Sequence, residues 1–575
     1  MPKSTKNLFF LTILLLGLFN NSTAQSNILS SLDFDPKING FRFKNYPNVG
    51  DGWKDDVAAD DLIRMFGVKA VCKNNSAKNC VVDAAARQWM EEKLKAMNIG
   101  HCEGIAAVSL RMNANLPFKK RASPASFQAG ARSPFNLQLD QTLENYIAYY
   151  WITQTFKEVK SNTAKTVAGE LGPVDVVKTL IAAMKEKKDT YLIRIWKYGK
   201  NKPFEDGHSI TPFAVEDAGN QYKIHVYDNN FPGETRYLFV NKNGTQQWTY
   251  SAKPDPKAKS DYIGDRGTKT LQLTATSWRD NRCFDPPFAK DDDAATGCGI
   301  ETARLDRPFF TNVSFRQTAD EDGEDAEFFL TGEGNMLITD GDGRRIGYDP
   351  NNRFYDEVAG GDFNLLIGGL GIDLPLYYLP YEDTGNPYKI VFSGKNLTQE
   401  SVFDFVFSAP GFTVGFAGIR LDQKETLTAT ISHDGEEITF EASTDGETPE
   451  VFYAFDSEDD ADASYMTDIE GVELAAGKRL IYDFDFDEGK LFFSDDDGGE
   501  DFFDIELIRI NADGTEQVYR QDNLDIGKAD RYEMDFGDWK GGEDTMCFKD
   551  DEDGDGFGDE ECSEQPNEDD GADEQ

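Results

Sequence analysis

Two rhythms of apolar and polar positions divide this chain. Up to about residue 187, apolar side chains recur every three to four residues, the spacing that lines one face of a helix. Leu62, Ile63 and Phe66 predict a helix over 54–66, and Val82, Ala85, Trp89, Met90, Leu94 and Met97 predict another over 82–97. A turn at Asn98-Ile99-Gly100-His101-Cys102 leads into a small-residue helix over 103–112. Leu143, Ile147, Tyr150 and Ile152 mark a helix over 137–157, and Pro173 opens one over 173–187. From Tyr191 the period drops to two. Strands are predicted over 191–196, 208–215, 221–227 and 235–240, with Gly219-Asn220 and Asn243-Gly244 as hairpin turns. Helices followed by an antiparallel sheet predict an α+β domain.

Beyond Pro308 the helical period fades. Short apolar runs such as Ala326–Leu330, Lys389–Phe392, Ser401–Val406 and Leu427–Ile431 predict an all-β, sandwich-like domain over 307–448. Lys478–Phe484 and Phe502–Ile508 predict a second β-rich domain over 449–540. The stretch 541–575 carries 16 Asp or Glu against one Lys, too polar to build a core of its own. Within it, Asp551, Asp553, Asp555 and Asp559 surround Gly554 and Gly556 in the manner of a calcium loop. Cys562 stands where an EF-hand would have Glu, so the expectation is a calcium-binding repeat of the thrombospondin or adhesin kind.

At the other end, Lys3 and Lys6 precede the apolar run Leu8–Phe19 and the small residues Ser22-Thr23-Ala24. That pattern is a signal peptide over 1–24, too short for a membrane anchor, and no later run spans a bilayer. The expected setting is secreted, extracellular or cell-surface associated. At 575 residues the chain exceeds a single core, and three or four domains are expected. A net charge of −45 disfavours nucleic acid and anionic membranes as partners and suits divalent cations.

An exported protein should pair its cysteines. Six of the seven fall into local couples, Cys72 with Cys80, Cys283 with Cys298 and Cys547 with Cys562, which leaves Cys102 over. Cys102 also opens a predicted helix, whose N-terminal field favours a thiolate. Downstream, His208 begins a strand, and Asp228 and Asn229 end the next. Cys, then His, then Asp or Asn is the chain order of a papain-like hydrolase: a thiolate attacks, an imidazole moves the proton, and the third group holds the imidazole. A zinc reading of His101, Cys102 and His208 lacks any CxxC or HExxH spacing. No cofactor is expected for catalysis.

The segments Phe41–Tyr46, Gly100–Ala106, Gly207–Phe213 and Tyr227–Gly233 together resemble a family of extracellular bacterial proteins with a papain-like fold, over about 35–285. Ile338–Gly347 resembles a β module carried behind that domain. The resemblance implies a papain-like thiol hydrolase domain over 26–300, with Cys102 as nucleophile and His208 as base. Asp228 is the preferred third member, and Asn229 the alternative. Papain-like peptidases carry a Gln six residues before the cysteine as an oxyanion donor. Ala96 stands there, and Asn98 is the nearest amide that could replace it.

The leading expectation is thus a cysteine peptidase acting on a peptide or protein through an acyl-enzyme. A transglutaminase-like acyl transferase shares that chemistry. The competing class is a non-enzymatic, calcium-stabilised surface or adhesive protein, whose β domains bind a cell-surface or polymer partner and whose papain-like domain is a scaffold.

Overall fold

The computed structural model describes residues 27–48, 52–166, 172–187, 189–197, 205–280, 283–290, 324–371, 373–381, 385–395, 397–456, 462–486, 488–495, 501–526, 531–537, 539, 541, 546–550 and 559–563. The predicted signal peptide and Cys298 lie outside this set, as do Asp551, Asp553 and Asp555. Asp559 opens the strand Asp559–Ser563, opposite Asp550. Among the described residues, no helix is long and apolar enough to cross a membrane.

The N-terminal region is a mixed α+β domain. Its longer helices run Ala59–Phe66, Ala84–Ala96, Cys102–Asn113, Gln141–Ile152 and Pro173–Glu186, each within or close to a predicted span although the first begins five residues later than expected, and Lys157–Thr166, which was not expected. The predicted helix over 137–157 is interrupted by the tighter turn Thr153–Thr155. There Thr153 Oγ1 donates back to the Tyr150 carbonyl, and the Gln154 side chain is committed to a distant partner described below. The antiparallel sheet places Glu205–Asp217 between Tyr191–Lys197 and Gln221–Tyr227. The Val176, Val177, Leu180 and Met184 face of the last helix packs on this sheet through Ile193, Ile210, Val215 and Ile224.

The helix Cys102–Asn113 is buried along nearly all its length, which explains its run of small residues. At Gly104 a Cβ would overlap the backbone carbonyl of Ile147, so only glycine lets Gln141–Ile152 approach this closely. Thr211, on the strand carrying His208, sits 3.0 Å from Ser109 Oγ and ties sheet to helix.

The C-terminal region is all β. Its described strands form an eleven-stranded and a nine-stranded antiparallel sheet around one apolar core, with Gly446–Glu447 and Glu473–Leu474 as a separate pair. The stretches 307–448 and 449–540, expected as separate domains, are joined in both sheets. Phe412–Leu421 pairs with Glu450–Asp456, and Glu437–Ala442 pairs with Arg479–Asp485. The stretch 541–575, expected as a tail, adds Met546–Asp550 and Asp559–Ser563 to the edge of the larger sheet, with Cys547 directly opposite Cys562.

The two sheets differ in pattern because they differ in surroundings. In the eleven-stranded sheet, Thr426–Ile431 and Arg479–Asp485 alternate buried and less buried residues, as a strand with one covered face must. The middle of the nine-stranded sheet is covered on both faces, and its strands Asp325–Leu330, Ser401–Ala409, Phe412–Leu421 and Glu450–Asp456 read as nearly continuous buried runs. Phe328, Phe407, Tyr377 and Tyr453 face the β core, while their neighbours Phe329, Val406, Tyr378 and Phe452 join the core of the N-terminal domain. Lys93 and Glu327 form a buried ion pair across this junction at 2.9 Å, and Trp89 Nε1 donates to the same carboxylate at 3.0 Å. The β region is therefore packed onto the N-terminal domain through a shared core, which carries one of its hairpins to the start of the cysteine helix.

Candidate functional site

Gly100 makes the turn before the cysteine. Its φ of 104° is a conformation that side-chain-bearing residues rarely adopt. His101 then precedes the helix, and Cys102 is its first residue. His208 stands on the strand Glu205–Asp217, and Asp228 follows the strand Gln221–Tyr227 beside it. His208 Nε2 lies 2.8 Å from Asp228 Oδ1, so that nitrogen carries the proton and donates. Nδ1 makes no hydrogen bond among the described residues, and the Cys102 thiol nearby helps to raise the imidazole. Asp228 also accepts from the Asn230 N–H at 2.8 Å and from the Tyr250 hydroxyl. All three groups of the set are buried, and Cys102 is 0% exposed.

Burial opposes the charged forms of all three. It works against the His208 imidazolium, yet the Asp228 carboxylate holds that imidazole well above its ordinary range. Burial also works against the Asp228 carboxylate, but His208, Tyr250 and the Asn230 N–H hold it below the usual range. For Cys102, burial prevails and raises the thiol, against the opposing pull of His208 and of the Ser209 N–H, which donates to Sγ at 3.4 Å. As folded, the thiol is covered and protonated.

The cover is the hairpin between Asp362–Ile367 and Asp373–Pro380 of the nine-stranded sheet. Its Gly368 carbonyl accepts from the Cys102 N–H at 3.2 Å and from the Asn45 side-chain amide at 2.7 Å. Asn45 Oδ1 in turn accepts from the His101 N–H at 2.8 Å, which fixes its amide toward Gly368. Gln154 grips Ile367 twice, accepting from its N–H at 2.8 Å and donating to its carbonyl at 3.3 Å. Arg194 donates to the Leu365 carbonyl at 2.7 Å. A Cβ at Gly369 would lie 2.5 Å from His208 Nδ1 and 2.9 Å from Cys102 Sγ, so both atoms face this residue.

Glu103, next to the cysteine, is buried with two arginines. It pairs with Arg279 and lies 3.7 Å from Arg194 Nε, and it accepts from the Ser209 hydroxyl. Burial alone would raise its carboxyl, but Arg194 and Arg279 outweigh it and keep it ionised.

The remaining sequence candidates have other surroundings. Asn229 donates to the Cys102 carbonyl at 3.1 Å and to the Ser209 carbonyl at 3.2 Å, so it clamps helix to strand while Asp228 takes the imidazole. Asn98 is exposed on a short turn, and Asn45 supplies the amide beside the Cys102 N–H instead. The Phe41–Tyr46 segment contained this residue, but nothing in its spacing pointed to residue 102. Gln154, Arg194, Tyr250 and the Gly368-Gly369 pair were also unforeseen. His225, on a strand paired on both sides in the middle of the sheet, lies 3.0 Å from Glu216. Among the described residues, no group of three or more His, Cys, Asp or Glu is arranged to hold a metal. Cys72 and Cys80 are bridged, Cys283 is disulfide-bonded, and Cys102 is free.

His101 makes the structure sensitive to acid. It stacks on Tyr46 with centroids 4.2 Å apart, and its Nδ1 donates to the Tyr46 carbonyl at 2.7 Å. Burial lowers its pKa to about 4. In the unfolded chain an imidazole titrates near ~6.5. As pH falls from there to about 4, the unfolded state binds a proton that the native state refuses. Its contribution is thus fully present above ~6.5 and falls by about 3 kcal/mol across that window. Thermal unfolding of the wild type and His101→Gln at a series of pH values should show this loss in the wild type alone. A pH-independent difference between the two would contradict it.

Comparison with family models, with curated proteins and with solved structures found no match to this chain.

Proposed function

We propose that the N-terminal domain is a papain-like thiol hydrolase that cleaves peptide bonds through an acyl-enzyme. The observation that carries this reading is a peptide carbonyl, that of Gly368, held by the Cys102 N–H and the Asn45 amide while Cys102 and His208 converge on the residue after it. Two convergent donors on a carbonyl oxygen stabilise the oxyanion formed when a nucleophile adds to its carbon. In this reading the thiol gives its proton to His208 and attacks. The His208 imidazolium, held by Asp228, then protonates the leaving amine, and water resolves the thioester. The leader-like first residues support an exported setting for this activity.

Substrate reaches the thiol only when the covering hairpin tip is out of the way. Ile367 pairs directly with Asp373, so a two-residue Asn-Gly turn in place of residues 368–372 keeps the strand register and opens the site. The test is hydrolysis of a fluorogenic peptide amide by this short-tip protein. Adding Asn45→Ala should lower kcat by about 10²–10³-fold, the usual cost of one oxyanion donor. KM and melting temperature, measured alongside, separate this from a folding defect. Hydrolysis that is absent, or that persists without Cys102, would overturn the reading.

A further inference from the structure

The covering hairpin is bound as a peptide substrate would be. From Leu365 to Gly368 its backbone makes the polar contacts: the Leu365 carbonyl with Arg194, both polar groups of Ile367 with Gln154, and the Gly368 carbonyl with Cys102 and Asn45, while the Asn364 side chain just before them donates to the Gln154 carbonyl at 2.8 Å. Ile367 and Leu365 meanwhile pack with Cys102 and Trp196 in one apolar cluster. The groove is closed to larger residues at the reacting bond. A Cβ on Gly368 would overlap the Ile99 carbonyl, and one on Gly369 would strike Cys102 and His208. Gly369 also has a φ of 79°, which bends the chain away after the gripped carbonyl.

The two sides of this bond are held unequally. Upstream, three contacts of 2.7–2.8 Å fix Leu365, Ile367 and Gly368. Downstream, the Asn230 amide reaches the Gly369 carbonyl only at 3.4 Å, and Leu370 is 44% exposed. A tight inhibitor would be fastened on both sides. A substrate needs its acyl part fixed and its amine part free to depart.

We infer that the chain is its own substrate, cleaved by Cys102 between Gly368 and Gly369. This rests on the hydrolase reading above. Cys102 Sγ bonds to the Gly368 carbonyl carbon, and the C–N bond to Gly369 breaks as the His208 imidazolium protonates the departing nitrogen. Departure is local, because the new amino end at Gly369 swings out with Leu370 and Gly371 while Asp373 stays paired in the sheet. Water then enters, gives a proton to His208 and attacks the thioester, leaving a Gly368 carboxylate and a free thiol. One water is consumed, and no redox partner is involved. The two polypeptides remain together, since the strands on both sides of the cut stay in one sheet. Cleavage thereby uncovers Cys102 for other substrates.

The purified full chain, incubated at neutral pH, is followed by denaturing electrophoresis and intact-mass spectrometry. The expected result is conversion to two polypeptides with a junction at Gly368–Gly369, co-eluting under native conditions, with no conversion in Cys102→Ala and conversion at least about 100-fold slower in Asn45→Ala. The short-tip protein serves as the second measurement. If the full chain stays whole while the short-tip protein hydrolyses peptides through Cys102, self-cleavage is overturned and the hydrolase reading stands. If both are inert, both readings fall. Cutting of Cys102→Ala at the same bond assigns the cut to another protease and overturns the inference.

Discussion

Asp228→Asn should lower peptide turnover by about 10²–10⁴-fold, measured on the short-tip protein. The cause is electrostatic rather than steric. His208 is buried, and burial disfavours its charged form; the Asp228 carboxylate, 2.8 Å away, is the main group that holds the imidazolium, ahead of Cys102. The isosteric amide keeps the shape and removes the charge. The imidazole then loses its proton at lower pH, so the alkaline limb of the pH–rate profile should move toward acid. With its oxygen at the Oδ1 position the amide still accepts from His208 and the Asn230 N–H, and its NH2 at the Oδ2 position donates to the Tyr250 hydroxyl oxygen, which holds the loop. A full turnover rate with an unmoved alkaline limb would show that Asp228 has no hold on the imidazole's charge.

Glu103→Gln should destabilise the fold by about 3–5 kcal/mol, the usual cost of leaving a buried charge without its partner. Glu103, Arg194 and Arg279 all have side chains at most 3% exposed. Two guanidiniums share this one carboxylate, so neutralising it strands both. Arg279 also anchors to Thr153 Oγ1 at 2.8 Å and to the Tyr150 carbonyl at 3.2 Å, the point where the helix tightens and Gln154 turns toward the hairpin. The loss should therefore loosen the substrate groove as well as the core. Chemical denaturation of Glu103→Gln in a Cys102→Ala background, which removes any cutting, measures it. A change under about 1 kcal/mol would mean that the cluster is solvated.

The parts of this arrangement that the sequence revealed are those with local or periodic signatures. Cys102 stood out because Cys72 and Cys80, eight residues apart, could close a short loop and the leftover thiol could not. His208 and Asp228 were legible because the strand rhythm puts them on adjoining strands of one sheet. The Asn45–Gly368 contact joins residues 323 positions apart, and its acceptor is a backbone carbonyl, which leaves no trace in residue type. Asn98 drew attention by proximity in sequence, although the chain folds so that Asn45 supplies the amide. The β region shows the same limit. Single strands were visible in their apolar runs, but the pairing of Phe412–Leu421 with Glu450–Asp456 depends on how the strands are ordered across the supposed boundary at 448. The doubled apolar runs around Phe328-Phe329 and Phe452-Tyr453 were the one available clue that the middle of the nine-stranded sheet is covered on both faces.

The most direct measurement of the central claim is the rate at which a glycyl-glycine-based electrophile labels Cys102, read by mass spectrometry in the short-tip protein with and without His208→Ala. The account predicts labelling confined to Cys102 at neutral pH and slowed at least about 100-fold by the substitution. Labelling at the same rate in both proteins would contradict an imidazole-activated thiol.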